Sequence, residues 1–296
     1  MKNINKIIML LTLTLSLVFL NSCEDKPPVD YVQSKYLEGY LIVDSLVEGI
    51  VVMNSQPVNM PFDREKAMIK DADVKLVFGG TAHTLIYREG EKSGYYLPDM
   101  NIKVLPETKY EIIINTPDGS LITSETTTPK RMTGWIKAPR PDIYYPQDTL
   151  KLPKNDSLVI QWDSIAGVHH YLIRTLARDT VDYGRYLNPP VNEQNRRTYN
   201  VISNAADDRG WYRNRTNWAL IANSSTPTVW LAFKWFGYHD VSVYNPDPNM
   251  LNWFVNIHFT GTSENNPLLN SVKGGYGVFG SASVISKEIF LYKNQP

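Results

Sequence analysis

Few residues of this chain stand in arrangements that do chemistry, and that scarcity narrows the functions open to it. Cys23 is the single cysteine in 296 residues, which excludes an internal disulfide and a cysteine-built metal site. Five histidines, His83, His169, His170, His239 and His258, are scattered along the chain. His169 and His170 are adjacent, so on a strand they face opposite ways and do not readily share one metal. A cluster of His239, Asp240 and His258 is conceivable, but no spacing demands it. Paired acids at Asp71/Asp73, Asp179/Asp182 and Asp207/Asp208 lack the compact ligand pattern of a calcium loop and read as solvated turns. A Gly-x-Ser-x-Gly elbow and a His-Glu-x-x-His zinc helix are both missing. Gly274-Gly275-Tyr276-Gly277 lacks the strand–helix setting of a dinucleotide loop. Its glycines suit a tight turn and close strand approach. No catalytic residue, metal ligand or cofactor is assigned.

Aromatic side chains are the richer resource. Seven Trp and 18 Tyr exceed what a β core strictly needs, so some of them are open to another use. Flat amphipathic rings in polar sequence stack on sugars or anchor protein partners. The candidate binding aromatics are Tyr183, Tyr186, Trp211, Tyr212, Trp218, Trp235, Tyr238 and Tyr244, all in or beside polar, loop-like stretches. Ordinary packing between sheets is the alternative for these eight, and Trp162 and Trp230 are assigned to the core.

The remaining chemical handle is Cys23 itself. Lys2 and Lys6 precede the apolar run Ile7–Leu20, and Asn21-Ser22-Cys23-Glu24-Asp25 follows. Charge, apolar run and small residues in that order form a secretory signal. The run is shorter than the roughly 20 residues that cross a bilayer comfortably. Leu20 and Ser22 stand before Cys23 as in a bacterial lipoprotein box, so residues 1–22 are expected to be a signal peptide and Cys23 a lipid attachment site. Each buried acyl methylene contributes about 0.8 kcal/mol, so two or three chains anchor firmly. The alternatives are an ordinary signal peptide or a membrane anchor. Residues 23–35, with Glu24, Asp25, Pro27 and Pro28, read as an acidic, proline-stiffened tether.

Strands position almost everything after the tether. Val74 and Leu76 alternate with polar neighbours, and Gly79-Gly80 turns that strand into Thr81–Tyr87. Gly94–Tyr96, Lys109–Ile114 and Leu121–Thr128 follow, with Asp118-Gly119 closing a hairpin. Residues 36–130 therefore form an N-terminal β-sandwich, of transthyretin/Cna-B or Ig-like type, and residues 131–153 a proline-rich connector. Residues 154–296 form a larger β-rich domain with long loops and at most one or two helices. Its opening strand with Trp162 resembles a fibronectin-type module. A helix is expected over 249–259, a glycine-rich turn over 273–280 and a last strand over 282–286. Thirty basic against thirty acidic residues leave no basic stripe, which argues against a nucleic-acid partner.

These residues resemble the DUF4249 family of Bacteroidetes outer-membrane lipoproteins, whose biochemical function is unassigned. Ser22-Cys23-Glu24-Asp25, Leu37–Val43, Gly94-Tyr95-Tyr96 with Glu107–Ile112, and Asn270–Gly280 carry the resemblance. It implies an outer-membrane, lipid-anchored protein, exposed at the cell surface or held on the periplasmic leaflet, that lies beside a TonB-dependent receptor. Acidic residues behind the Cys resemble a surface-export signal in that group. The expected role is a noncatalytic accessory for ligand binding or nutrient uptake, with a glycan or peptide as ligand. A surface hydrolase acting on polysaccharide or peptide, and a structural or adhesive envelope protein, remain alternatives.

Overall fold

The computed structural model describes residues 31–57, 59–90, 92–145, 159–178, 215–227, 233, 237–260 and 270–293. Cys23, Tyr183, Tyr186, Trp211, Tyr212, Trp230 and Trp235 lie outside these residues. In chain order the first strands are β1 (Lys35–Ile42), β2 (Val51–Asn54), β3 (Asp73–Phe78), β4 (Thr81–Arg88) and β5 (Gly94–Tyr96). Then come β6 (Lys109–Asn115), β7 (Leu121–Thr127), β8 (Trp135–Lys137), β9 (Asp142–Tyr145), β10 (Val159–Trp162) and β11 (Tyr171–Ala177). The last are β12 (Thr216–Ile221), β13 (Ser225–Pro227), β14 (Gly237–Pro246), β15 (Val272–Lys273) and β16 (Tyr276–Lys293).

They build a seven-stranded sheet ordered β12-β11-β14-β16-β1-β2, with β9 also paired to β16. A six-stranded sheet runs β15-β7-β6-β3-β4-β5, and a three-stranded one β13-β10-β8. The fold is mainly β with little helix, as the strand-rich sequence implied. No helix among the described residues is long and apolar enough to cross a membrane.

The large sheet is two-faced because its strands alternate. Leu37 and Leu41 of β1 enter one apolar cluster, while Tyr36, Tyr40 and Ile42 pack on another. On the first side lies the six-stranded sheet, which contributes Val74, Leu76, Tyr110, Ile112, Ile114 and Ile122. Further along that side, Ile173, Val241 and Ile289 pack with Ile160 and Trp162 of the three-stranded sheet. Trp162 is fully buried, edge-on to Trp135 and Tyr171. On the opposite side the helix Pro248–Phe254 lays Met250, Trp253 and Phe254 over Val278 and Ala282.

β16 is the spine. It supplies Phe279 to the first cluster, Ile289 and Leu291 to the second, and Val278 and Ala282 to the third. It also joins the two halves drawn at residues 36–130 and 154–296. β1 runs parallel to it with Leu37 opposite Gly277 and Gly39 opposite Phe279, and β15 pairs with β7. The two halves thus share one sheet.

Two sequence expectations need correction at this joint. The turn expected over 273–280 is confined to its start, because strand β16 begins at Tyr276. Gly277, at φ +118°, leaves no room for a β-carbon against the Leu37 carbonyl, and Gly280 lets the backbone of Met250 come close. These glycines are there for close approach within a strand. The final strand expected over 282–286 is likewise an 18-residue element.

The helix expected over 249–259 divides. Asp247 caps it by accepting from Met250 N–H at 2.9 Å, Pro248 opens it, and from Val255 it continues as a π-helical turn to Thr260.

Candidate functional site

One face of the large sheet carries the candidate aromatics. On β14, Val241 and Val243 point into the core, so Tyr238, Asp240, Ser242 and Tyr244 face the other way. The antiparallel ladder sets Phe290 opposite Tyr238, Glu288 opposite Asp240, Ser286 opposite Ser242 and Val284 opposite Tyr244. β11 adds Arg174 opposite Ser242, and β12 adds Trp218 opposite Arg174. The outer face therefore changes character along its length: apolar beneath the helix, polar in the middle, aromatic at the far end of β16.

Trp218 and Tyr244 come together at the helix end, with ring centroids 5.1 Å apart, and Trp218 lies 4.7 Å from Phe254. The Arg174 guanidinium rests 5.9 Å from the Trp218 ring and 5.5 Å from the Tyr244 ring. Tyr244 is only 6% exposed, and burial pushes its hydroxyl pKa up. Its contacts are those of a packing residue, whereas Trp218 is half-buried.

In the polar middle, the Ser242 and Ser286 hydroxyls bond at 2.9 Å. Arg178 donates to Glu288 and lies 3.8 Å from Asp240.

Tyr238 belongs to a separate site. It is 38% exposed and stands edge-on to Phe290, with centroids 4.7 Å apart and planes at 88°. Tyr292 flanks Phe290 on a 4.5 Å centroid distance. Parallel pairing of β9 with β16 brings Asp142 opposite Phe290. Together Pro141, Asp142, Tyr238, Glu288, Phe290 and Tyr292 line a cleft of about 370 Å³. That volume lies in the range of small-ligand clefts, roughly 300–1,000 Å³.

Of these residues only Tyr238 was singled out from sequence. Glu288, Phe290 and Tyr292 are every second residue, so their shared face was readable once β16 was extended past 286. Their juxtaposition with Tyr238 and Asp142 depends on a register that sequence does not state.

His239 and His83 have packing roles, while His169 and His170 are exposed. His239 is 1% exposed, with Nδ1 donating to the Gly237 carbonyl at 2.9 Å, Nε2 unbonded, and Phe233 edge-on to the ring. Burial pulls its pKa down to about 4, so the ring is neutral at pH 7. His239 and Asp240 face opposite sides of β14, which separates two members of the conceivable cluster. His83 stacks on Phe78 at 4.4 Å. Among the described residues no group of His, Cys, Asp and Glu could hold a metal ion.

The Asn270–Gly280 segment is a structural joint. Asn270 Nδ2 donates to the carbonyls of Val272 and Gly275, at 2.9 and 2.7 Å, and its Oδ1 accepts from Val272 N–H. Ser124 then donates to the Ser271 carbonyl at 2.7 Å, fastening the segment to β7. Beside it, the buried Lys35 ammonium pairs with Asp118 at 2.5 Å and donates to Asn54 at 2.7 Å. The Lys35 and Thr116 contacts hold the Asp118 carboxyl well below the usual carboxylate range.

No family model matches this chain. No curated protein matches it either. A solved structure concerned with host cell surface retention of a 1.5-MDa bacterial ice-binding adhesin aligns over 89% of this chain and 65% of its own, at 9% identity. Its TM-score is 0.17, and at that level the alignment carries no argument about fold or function.

Proposed function

We propose that the chain is a noncatalytic cell-envelope lipoprotein, held at the outer membrane by acyl chains on Cys23, that binds a ligand or partner on the outer face of its large sheet. In this reading it is a surface accessory beside a TonB-dependent receptor, a member of the DUF4249 family, and its sheets are two sandwich-type units. The Lys2–Asp25 sequence and the resemblance described above support the location.

The observation that carries the binding role is the position of the Tyr238 cleft. The expected tether, residues 23–35, leads into β1, where Tyr36 pairs with Tyr276 at the start of β16. The cleft lies at the other end, around Phe290 and Tyr292. β16 spans 18 residues, roughly 55–60 Å of extended chain. An anchor at one end and the exposed Tyr238 ring at the other suit a protein that displays its binding surface away from the bilayer.

The test is affinity purification of the tagged, lipidated protein from its native membrane after mild crosslinking. Co-purification of an outer-membrane receptor or a defined ligand is expected, and recovery of neither overturns the binding role.

A further inference from the structure

Apolar side chains are exposed together where the chain enters the fold. Ten large apolar residues are exposed among the described residues, and four of them, Tyr31, Val32, Met60 and Phe62, flank the start of β1 and the end of β2. Single exposed apolar residues are ordinary, whereas a group on one rim marks a contact surface. Val32, Met60 and Phe62 are each more than half exposed, at 78, 61 and 63%.

The backbone holds these residues out. Past the β1–β2 ladder, Ser55 N–H donates to the Ser34 carbonyl and Ser55 Oγ accepts from Ser34 N–H, both at 2.8 Å. The Tyr31 and Ser55 hydroxyls bond at 2.7 Å. Gln56 then clasps Asp63 twice: its Nε2 donates to the Asp63 carbonyl at 2.7 Å, and its Oε1 accepts from Asp63 N–H at 2.8 Å. Asp63 caps the short helix Arg64–Ala67, and Ile69 N–H donates to the Val52 carbonyl at 2.8 Å, returning the chain to β2. Met60 and Phe62 therefore stand in a loop fixed at both ends, and Tyr31 is fastened to the same strand end.

The length of the expected tether says what meets them. Cys23 stands eight residues before Tyr31, a span of at most about 29 Å when fully extended. In an anchored chain the rim at Tyr31 is held within that distance of the acylated residue. A short tether also raises the local concentration of lipid at the rim to about the millimolar range. A few apolar side chains then suffice where an untethered protein would not bind.

We infer that Val32, Met60 and Phe62, with Tyr31 beside them, insert into the interfacial layer of the bilayer that holds the Cys23 acyl chains. Apolar side chains gain from leaving water, and Tyr rings favour the headgroup level. The inference rests on the reading of Cys23 as the anchor and adds a second lipid contact to it.

Amide hydrogen exchange tests this on the mature chain, coupled through its Cys23 thiol to a maleimide lipid in phosphatidylcholine–phosphatidylglycerol vesicles. That coupling anchors the chain whether or not the cell acylates it. Failure here is therefore distinct from failure of the anchor reading, which the mass of the native protein decides. Residues 59–62 should exchange at least about tenfold more slowly on vesicles than in the same chain coupled to a water-soluble maleimide. Leu105 is the control, 52% exposed near the other end of β1, where Asp44 N–H donates to the Val104 carbonyl. Its exchange should not change. Met60→Ser combined with Phe62→Ser should abolish the slowing and leave the melting temperature unaltered, since both positions are exposed.

Equal exchange of residues 59–62 on and off vesicles overturns the inference, as does slowing that survives the double substitution. Slowing that grows with protein concentration in the absence of lipid overturns it too, and marks a contact between copies of the chain.

Discussion

Asp247 Oδ1 accepts the backbone N–H of Ser281 at 2.9 Å while also capping the helix through Met250, so one carboxylate ties that helix to the middle of β16. Its Oδ2 accepts from Thr126 on β7 at 2.8 Å, and the Thr126 and Ser281 hydroxyls bond to each other at 2.8 Å. Three elements from both halves of the chain therefore meet on one side chain that is 4% exposed.

Asp247→Ala should cost about 3 kcal/mol, from a lost cap and buried donors left unpaired. Burial raises the Asp247 pKa despite these donors. A raised folded-state pKa means its favourable contribution is present below the ordinary value of 3.8 and is lost as pH rises through the folded value. Asp247→Asn should thus be milder than Asp247→Ala at pH 7. Equilibrium urea unfolding of both variants checks the order.

Gly277→Ala attacks the same spine from the other side. Its φ of +118° and the Leu37 carbonyl leave a side chain nowhere to go, so a loss of about 3 kcal/mol or more is expected. Gly119→Ala is the control, since that glycine has φ +84° and nothing within 4 Å, and about 1 kcal/mol is expected. Comparable midpoints for the two variants would show that strand approach at Gly277 is not limiting.

His239 makes the fold acid-sensitive. Its pKa falls from 6.5 to about 4 on burial, so the unfolded chain binds the proton more tightly. The stabilisation is fully present above pH 6.5 and is lost as pH falls toward 4, by up to about 3 kcal/mol. His239→Gln should flatten stability across that window. Chemical unfolding at a series of pH values from 4 to 7 gives the comparison.

Trp162→Ala should cost about 3–5 kcal/mol, because its indole fills the space between the three-stranded and large sheets against Trp135 and Tyr171. Melting curves followed by near-UV circular dichroism should show the loss together with altered aromatic signals.

Local pattern made much of this fold legible. The Val74/Leu76 alternation, the Gly79-Gly80 hairpin and the burial of Trp162 follow from residues close in sequence. Parallel pairing of β1 with β16 does not, because it joins strands more than 230 residues apart in sequence and neither strand names its partner. The glycines of β16 disguised it further, since glycine favours turns when read locally and close approach when the neighbour is known.

The site divides in the same way. Tyr238 stands out as an aromatic residue in polar sequence, but Asp142, Phe290 and Tyr292 reach it only through the sheet register. Tyr244 shares that sequence character and is nevertheless packed under Arg174, because the helix covers its end of the face.

Whether the molecule works at a membrane surface turns on the chemistry of one thiol. Intact mass spectrometry of the protein purified from its own envelope addresses this directly. The account predicts a chain beginning at Cys23 and heavier than its polypeptide by a diacylglycerol and, where the amine is acylated, a further fatty acid. A free thiol at Cys23, or a chain still carrying residues 1–22, would contradict it.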